Sequence, residues 1–373
     1  MTVPVLLPLL PPVMGRGFVE LGMAISVFGL VSAVLQAPMG YAVDRFGARR
    51  ILMAGLALGS AGFAFLAVSP TYVMLIVAMA LAGVANAVYH PSDYSILSRG
   101  MAPERMGRAF SIHTFAGYLG NAVAPLVLIP IAVAFDVRWA FAASSVAALL
   151  ALAALSAGKP AAAAAASRPE TPRSRPETGS AGSSASGTIL VLIVFFLLLG
   201  LSTGAIDRFS VSAFVQGFGI ALPTANLALT AFLSASALGV LAGGFLADRT
   251  RRHGLVAAAA FALAAMLVVT VILARPAGML LVVLLGATGF LTGIVAPSRD
   301  MLVRASAPPG TEGRVFGIVS TGFNVGGIVG PILFGYLLDR GFASGVLWAS
   351  AGFMVATTII VLFQERRAPA RVP

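Results

Sequence analysis

Residues 40–50 read Gly-Tyr-Ala-Val-Asp-Arg-Phe-Gly-Ala-Arg-Arg, a charged stretch that follows a long apolar run. A related stretch, Gly-Phe-Leu-Ala-Asp-Arg, begins 204 positions later at Gly244. Two further matches recur in the same order at an offset of 206, and they pair Pro91-Ser92 with Pro297-Ser298 and Gly107-Arg108 with Gly313-Arg314. Three ordered matches at nearly one spacing predict two structurally equivalent halves.

The composition is that of a chain embedded in lipid. Of the 373 residues, 59% are hydrophobic and 10% are charged, and the mean hydropathy is +0.97. A soluble domain carries about 25% charged residues. Runs of about 17–25 apolar residues are long enough to cross a bilayer. We expect eleven such crossings, near 18–40, 51–68, 71–98, 108–134, 137–157, 188–215, 222–246, 255–274, 278–303, 314–338 and 343–363.

The first residues form a different kind of segment. Val3 to Val13 is apolar, contains four prolines and is too short for a full crossing. We interpret it as the C-terminal half of a first helix whose beginning is missing, and a re-entrant or interfacial segment is the alternative. The sequence thus predicts an all-α membrane protein of two pseudo-symmetric six-helix bundles, with the first helix truncated and the bundles related by an axis along the membrane normal.

A polar segment divides the two bundles. Residues 158–187 are rich in Ala, Ser, Pro and Arg, a composition typical of a flexible linker. The predicted domains are an N-terminal bundle at 1–157, this linker, a C-terminal bundle at 188–363 and a tail at 364–373. Of the 24 Lys and Arg residues, 19 fall on the linker side of the predicted membrane. The positive-inside rule then places the linker and the C-terminus in the cytoplasm of a multi-pass protein of the plasma or inner membrane.

Several classes of function are disfavoured by the same sequence. The formal charge of +11 lies in short clusters between apolar runs, which argues against nucleic-acid binding. The chain has no Cys, and its single lysine, Lys159, is followed by neither Ser nor Thr, so no phosphate-binding GxxxxGK[ST] loop is present. No nucleophile with a neighbouring base is evident. We therefore expect no enzyme activity, no cofactor and no metal site.

The motif from Gly40 to Arg50 resembles the loop between the second and third helices of the major facilitator superfamily. Its degenerate copy, Gly244 to Arg252, falls where the second half of that family carries one. The resemblance implies secondary transport and assigns a gating loop made of Gly40, Asp44, Arg45, Gly47, Arg49, Arg50, Gly244, Asp248 and Arg249. Gly40 would allow close helix contact, and Gly47 a tight turn.

The two acids of this gating loop suggest how a gate could work. Asp44 and Asp248 end apolar runs, and each carboxylate could accept hydrogen bonds from the N-terminus of a neighbouring helix, beginning near Gly107 or Gly313. The arginines would hold the loop against lipid phosphates or a partner acid. Such a latch can form in one state and break in another. The alternative is a positively charged membrane anchor with no gating role.

A narrower resemblance concerns the first half. Gly83 to Ser98 looks like the fourth helix of the fosmidomycin-resistance type of facilitator, and Gly107 to Gly120 looks like the helix that follows. Gln36 to Gly40 fits the same group. The resemblance implies proton-driven export of a small drug or metabolite by an antiporter, and hence antibiotic resistance. We expect a small-molecule substrate and protons as partners, and a monomer in the bilayer.

Ionisable side chains inside membrane spans are candidates for function, because a charge there costs about 2.5–3.5 kcal/mol. His90, Asp93 and Tyr94 share one helix face. His113 enters the next span to a similar depth, so the two His and Asp93 form a predicted proton-coupling cluster. The cluster could instead be structural, because Pro91 frees backbone carbonyls that polar side chains satisfy, or it could contact substrate.

The second half supplies a further proton-coupling candidate, Asp207, which could instead form an ion pair with Arg208 that ties helices together. Arg299 and Asp300 are expected to form a second such pair. Three side chains are predicted substrate contacts, namely Tyr94, Asn121 and Asn324.

Three functions remain open from the sequence. The leading one is a proton-coupled exporter working by alternating access. An uptake carrier or uniporter for a small organic solute is the second. A non-transporting scaffold or an inactive truncated relic is the third.

Overall fold

The computed structural model describes residues 1–100, 106–158, 183–250, 252–306 and 312–367. Two short helices come first, α1 (Thr2–Leu6) and α2 (Leu10–Met14), with a 3-10 turn at Leu7–Leu9 between them. The first half continues with α3 (Phe18–Phe46), α4 (Ala48–Val68), α5 (Tyr72–Gly100), α6 (Met106–Ala134) and α7 (Val137–Ala157). The second half contains α8 (Ser183–Phe218), α9 (Leu222–Arg249), α10 (His253–Ala274), α11 (Gly278–Ser306), α12 (Glu312–Asp339) and α13 (Ser344–Arg367).

Eleven helices in the described parts of the chain are long and apolar enough to cross a membrane, which confirms the predicted number. The protein is therefore a multi-pass membrane protein. Residues 159–182 of the predicted linker and 368–373 of the predicted tail lie outside the described residues. Successive long helices run in opposite directions, so the ends of α7 and α8 that flank the linker define one side of the bundle. We call it the linker side, and the opposite side the distal side.

The first fourteen residues form a broken helix on the distal side. Prolines remove amide donors, which explains why α1 gives way to a 3-10 turn before α2. Val3, Leu6, Leu7 and Leu10 are almost fully buried, and the segment contacts α6, α7 and α8. The segment is thus packed inside the protein, in contact with both halves, rather than at its periphery.

Glycines bring helices of the second half into backbone contact. A Cβ on Gly239 of α9 would lie 2.1 Å from the carbonyl oxygen of Phe290 of α11, and one on Gly289 would lie 2.1 Å from that of Phe232. Small residues are the usual means of close packing between membrane helices, because lipid offers no hydrophobic driving force for their association. The α9–α11 pair therefore forms a rigid wall for the interior of the second half.

The halves meet mainly through two helix pairs, α3 with α12 and α6 with α9, and also where the first residues of the chain contact α8. A hydrophobic cluster on the distal side includes residues of both halves, among them Leu21 and Ile25 of α3 and Phe334 and Leu338 of α12. The rings of Phe209 in α8 and Phe334 are 5.6 Å apart and belong to the same cluster. The halves are therefore joined mainly near the distal side, which leaves the space between them on the linker side for a site.

Candidate functional site

A cavity of about 130 Å³ lies between the two halves of the chain. The first half contributes two residues of α6, and the second half contributes residues of α8, α9, α11 and α12. The lining residues are Tyr118, Asn121, Leu199, Thr203, Asp207, Phe232, Leu233, Ser236, Thr292, Gly293, Ala296, Arg299 and Phe323. The lining combines one acid, one base, several hydroxyl groups and aromatic rings, as small-molecule sites commonly do.

Arg299 is the basic group of the cavity, and two aromatic rings fix its position. Its guanidinium carbon lies 5.2 Å from the ring centroids of both Phe196 and Phe323. These two rings pack edge to face, with centroids 5.0 Å apart. A cation held over aromatic faces is attracted by their negative quadrupole. The rings therefore orient the guanidinium while leaving donor groups for a bound solute.

The predicted role of Arg299 and Asp300 as a tie between helices is wrong. Nη2 of Arg299 lies 2.8 Å from Oδ1 of Asp300, but both residues belong to α11. The Asp300 side chain is 49% exposed, whereas that of Arg299 is only 18% exposed. A pair between neighbouring residues cannot join two helices, and its acid end faces outward. Asp300 instead holds one edge of the guanidinium.

Asp207 is the acidic group of the cavity. The next residue, Arg208, lines a separate hollow of about 10 Å³ against Gly326, Gly327 and Gly330 of α12. Consecutive helix residues point about 100° apart, so the two side chains leave α8 in different directions. Among the described residues, no ion pair within 4 Å joins Asp207 to Arg208 or to another helix. Both interpretations of Asp207, an ion pair that ties helices together and a cavity acid that can take up a proton, therefore stay predictions.

Hydroxyl groups of the cavity are bonded to their own or a neighbouring helix. Thr203 Oγ1 donates to Leu199 O at 3.0 Å, and Thr292 Oγ1 donates to Gly289 O at 2.8 Å. Ser236 Oγ donates to the same Gly289 O at 3.0 Å. With their hydrogens used in this way, these oxygens present acceptor lone pairs to the cavity.

The structure places Asn121 of the first half in the cavity lining, where its side chain is exposed. Its role in substrate contact stays a prediction. Asn324 is partly buried and is not part of the lining, and the side chain of Tyr94 lies outside the described residues. Tyr118, one turn before Asn121, is a lining residue that the sequence did not single out.

The Asp93–His113 pair is present. Asp93 Oδ2 of α5 lies 3.5 Å from His113 Nε2 of α6, with side chains 22% and 40% exposed. His90 lies three residues before Asp93 on the same helix and is exposed. None of the three lines the cavity. The structure thus brings together the acid and one His in the first half, away from the acid and base of the second half.

Arg299 was missed as a site residue, although the internal repeat points to it. Asp93 follows Pro91-Ser92 in the first half, and Arg299 follows Pro297-Ser298 at the same offset of 206. Equivalent positions of α5 and α11 therefore carry opposite charges. That comparison singles out Arg299 from the sequence alone.

The gating loop has the turn that its glycine predicts. Gly47 has φ +91°, a conformation that favours glycine, and it separates α3 from α4. A Cβ on Gly40 or on Gly244 would meet nothing within 4 Å. The close helix contact expected at Gly40 is therefore absent in this conformation, because the neighbouring half lies away from this part of α3.

Arg49 has a partner that the sequence did not predict. Its Nη2 donates to the carbonyl oxygens of Leu155 at 2.7 Å and of Ser156 at 3.0 Å, and it also contacts the carbonyl of Gly158. These are free carbonyls at the C-terminal end of α7, where a cation is favoured by the helix dipole. Arg49 thus binds a helix end of its own half, and the expected contact of the gating-loop arginines with lipid phosphates stays a prediction.

The other members of the gating loop point away from the protein. Asp44, Arg45 and Arg50 are exposed, and so is Arg249 of the second copy. The side chain of Asp248 lies outside the described residues, as do those at the start of α6, one of the two helix starts expected to bind these acids. The latch itself therefore stays a prediction.

The distal end of the cavity is closed by the α3–α12 and α6–α9 pairs. A Cβ on Gly22 of α3 would lie 2.2 Å from Pro331 O of α12, so the two backbones touch. Ser26 Oγ donates to Ile328 O at 2.6 Å, and Asn226 Nδ2 of α9 donates to Pro125 O of α6 at 3.0 Å. These cross-half bonds leave no path for a solute along the distal parts of the two helix pairs.

The linker-side parts of the same helix pairs are apart. Gly117 and Gly120 of α6, Gly244 of α9 and Gly317 of α12 have nothing within 4 Å of a Cβ built on them. The halves therefore do not touch at these four positions, and we infer that the cavity opens toward the linker side. Two bundles of membrane helices with a charged cavity between them define a secondary transporter.

Comparison with known proteins agrees with this class. The sequence profile of the Major Facilitator Superfamily matches residues 1–212 and 192–373. The two matches cover both halves, and the chain belongs to the Major Facilitator Superfamily, which consists of transporters and not enzymes. This confirms the resemblance drawn from the gating-loop motif and its copy.

Relatives with curated names match part of the chain. The fosmidomycin resistance protein of Escherichia coli K12 is 26% identical over 248 residues, which are 66% of this chain and 60% of that protein. The multidrug resistance protein B homolog of Mycobacterium tuberculosis H37Rv is 30% identical over 102 residues, or 27% of this chain and 19% of that protein. The chain thus aligns with less than two thirds of the length of these relatives.

Solved structures share the fold over almost the whole chain. A peptide transporter superposes with a TM-score of 0.80 at 15% identity and covers 98% of this chain and 91% of its own. A bacterial homolog of the human lysosomal transporter Spinster, in an inward-facing and occupied conformation, gives 0.75 at 13% identity and covers 98% and 92%. At these identities the similarity concerns the fold, and it confirms the predicted two-bundle architecture.

Proposed function

We propose that this transporter exports a small solute in exchange for protons by alternating access, with the cavity between the halves as the common site. The observation that carries the proposal is a cavity that is closed on the distal side, accessible from the linker side, and furnished with an acid and a base. Its orientation follows from the positive-inside rule, which puts the linker side in the cytoplasm of the cell membrane. In this state a solute from the cytoplasm would have access to the site.

The chemistry of the lining suggests the kind of solute. Arg299 offers a fixed cation for an anionic or hydrogen-bond-accepting group, and Asp207 offers an acceptor for a cationic or donating group. Phe232 and Phe323 add apolar surface. A small polar solute with both kinds of group would pair with both charges. An apolar molecule would displace water from the two charged groups without replacing its hydrogen bonds, which is unfavourable.

The sign of coupling depends on which charge the solute uses. Protonation of Asp207 removes a negative charge from the cavity that Arg299 also lines and therefore favours binding of an anion, so an anion and a proton would travel together. Exchange requires the solute and the proton to exclude each other. An exporter of the proposed type must therefore bind its solute through a donor group at Asp207, with Arg299 as an additional contact.

Asp93 with His113 is the alternative coupling site. The pair lies outside the cavity, so its protonation would act through the contact between α5 and α6 rather than by direct competition. Asp207 is the better candidate for exchange, because direct competition needs no relay between distant groups.

The test is transport into proteoliposomes with an imposed pH gradient and an internal pH dye. Fosmidomycin is the first probe, because a relative carries it in its name. We expect solute movement with counterflow of protons, and Asp207→Asn should abolish the proton movement. Asp136→Asn is the matched control, since Asp136 is a distal acid outside the cavity whose cap on α7 an Asn preserves.

The outcomes separate the candidate functions. Solute flux that persists in Asp207→Asn without proton movement favours a uniporter or another coupling site, such as Asp93. Flux of solute and protons in the same direction indicates an uptake carrier. A third outcome is that proteoliposomes do not transport fosmidomycin and that cells expressing the chain are no more resistant to a panel of drugs. That outcome would support the scaffold or relic interpretation.

A further inference from the structure

We propose that Asp339 is a functional residue of the transport cycle, because it caps α3 of the opposite half and does so only while the distal side is closed. The proposal rests on alternating access, but its test reads conformation rather than transport. The residue belongs to the stretch Gly335-Tyr-Leu-Leu-Asp339-Arg340, which has the Gly-x-x-x-Asp-Arg pattern of the gating loop but lies on the distal side.

Asp339 is the last residue of α12, and both of its carboxylate oxygens accept hydrogen bonds from the start of α3. Oδ1 lies 2.7 Å from Phe18 N, and Oδ2 lies 2.8 Å from Val19 N. These are the first two amides of the helix, which have no partners within it. A carboxylate that binds them also meets the positive end of the helix dipole.

The residue that would normally cap α3 cannot do so. Gly17 precedes the helix and has no side chain, although its extended backbone (φ −77°, ψ 176°) is that of an ordinary N-cap. A Cβ at this position would lie 2.8 Å from Oδ2 of Asp339. Glycine therefore leaves the space that the carboxylate of the other half occupies.

Glu20 completes the arrangement from the same helix. Its Oε2 accepts a hydrogen bond from Gly17 N at 3.1 Å, which is the second half of a capping box. The side-chain acceptor that a capping residue normally supplies comes here from Asp339, 321 positions from Phe18 in sequence, which bonds the first two amides of the helix. The two carboxylates flank Gly17 and would repel each other without the amides between them.

The cap continues the backbone contact between α3 and α12. A Cβ on Gly335, one turn before Asp339, would lie 2.3 Å from Phe18 O. The helices therefore cannot separate here without pulling the carboxylate from the amides. When the distal side opens, the first amides of α3 must donate their hydrogen bonds to water. In the closed state they donate to a charged carboxylate.

This dependence makes the cap a latch. Asp339 is exposed, so water competes for the carboxylate and the cap contributes at the low end of the usual range. Removal of one such cap corresponds to a change of about two- to five-fold in the ratio of distal-open to distal-closed molecules. The cap would favour the state that is accessible from the linker side.

The chain has no cysteine, which makes spin labelling direct. The distal label pair is Ala134→Cys at the end of α6 with Ala277→Cys before α11, two exposed positions in different halves. Double electron–electron resonance in lipid nanodiscs measures their distance distribution. We expect Asp339→Ala to increase the long-distance population about two- to five-fold relative to the parent.

Asp136→Ala is the matched control. Asp136 caps α7 on the same side by accepting from Arg138 N at 2.8 Å, but helix and cap belong to one half. Its loss should lower thermal stability without changing the distance distribution. In Asp339→Ala with Gly17→Asn, the Asn can cap α3 within its own half, so we expect stability to recover while the long-distance population stays raised.

Two results would overturn the proposal. One is an unchanged distance distribution in Asp339→Ala and in the milder Asp339→Asn, which retains a single acceptor oxygen. The other is an equal shift in Asp136→Ala. Failure of the proposed exporter function looks different, because the distal label pair would still respond to Asp339→Ala while proteoliposomes show no transport.

Discussion

The backbone contact between α3 and α12 can be opened by a single methyl group. In Gly22→Ala, the added Cβ would lie 2.2 Å from Pro331 O and 2.7 Å from Pro331 C. An ordinary carbon–oxygen contact is about 3.3 Å, so the helices must separate there by roughly 1 Å. Backbone atoms cannot yield as a flexible side chain can, and the separation also weakens the bond from Ser26 to Ile328 O.

The expected size follows from overpacking, which typically costs about 1–3 kcal/mol. Because the cost arises only while the distal side is closed, it shifts the ratio of distal-open to distal-closed molecules by roughly 5- to 150-fold. The distal label pair, Ala134→Cys with Ala277→Cys, should therefore report a large long-distance population in Gly22→Ala. A fluorescence thermal melt checks that the variant folds.

Gly239→Ala provides the matched control. Its Cβ would lie 2.1 Å from Phe290 O, an equally severe contact, but α9 and α11 belong to the same half. We expect reduced thermal stability and an unchanged distance distribution. Two results would show that the α3–α12 contact does not hold the distal side closed: a shift in Gly239→Ala as large as that in Gly22→Ala, or an unchanged distribution in a folded Gly22→Ala protein.

Three further predictions concern other parts of the molecule. Arg299→Lys should raise the apparent KM of a transported solute about 10- to 100-fold with folding intact, because lysine lacks the planar guanidinium that packs over two rings. Initial rates in proteoliposomes measure this KM, and an unchanged value would contradict the prediction. Arg49→Gln should lower the free energy of unfolding by about 1 kcal/mol through loss of the α7 carbonyl contacts; denaturation in detergent checks this, with the exposed Arg50→Gln as control. Asp93→Asn should leave solute affinity within about two-fold, since Asp93 does not line the cavity; a ten-fold loss of affinity would place it at the site.

Periodicity and composition were sufficient for the membrane helices. A long apolar run such as 255–274 is stable only as a helix in lipid, and α10 accordingly spans His253–Ala274. The internal repeat of Gly40–Arg45 at Gly244–Arg249 predicted the two bundles. These features are local, or are shifted copies of local features, so a single sequence reveals them.

The contents of the cavity were predicted less well. Asn121 and Asp207 can be found from the sequence because polar groups inside apolar runs are conspicuous. The separate position of Arg208, which lines a second hollow, depends on the helix geometry of α8. Arg299 was interpreted as a partner of Asp300. Its contact with Phe196 and Phe323 depends on how α8, α11 and α12 pack, which spacing along one helix does not determine.

The contacts between halves could not be predicted from the sequence. The Gly-x-x-x-Asp-Arg pattern at 335–340 marks Asp339 in the sequence, but its partners Phe18 N and Val19 N are backbone atoms, which side-chain chemistry does not reveal. Gly40 was expected to make a close contact, whereas Gly22 makes one. The position of a glycine along a helix does not determine which helix packs against it, because the neighbouring helix of the other half changes with the conformational state.

Whether the two halves rock as bodies around the cavity can be tested with two distances measured in the same molecules. A linker-side label pair, Ala157→Cys at the end of α7 with Leu255→Cys in α10, can be measured beside the distal label pair in the Gly22→Ala background, because both positions are exposed. If the halves rock, the distal distance lengthens while the linker-side distance shortens, in the same fraction of molecules. A longer distal distance with an unchanged linker-side distance would contradict it, because the helices would then splay locally without closing the other side of the cavity.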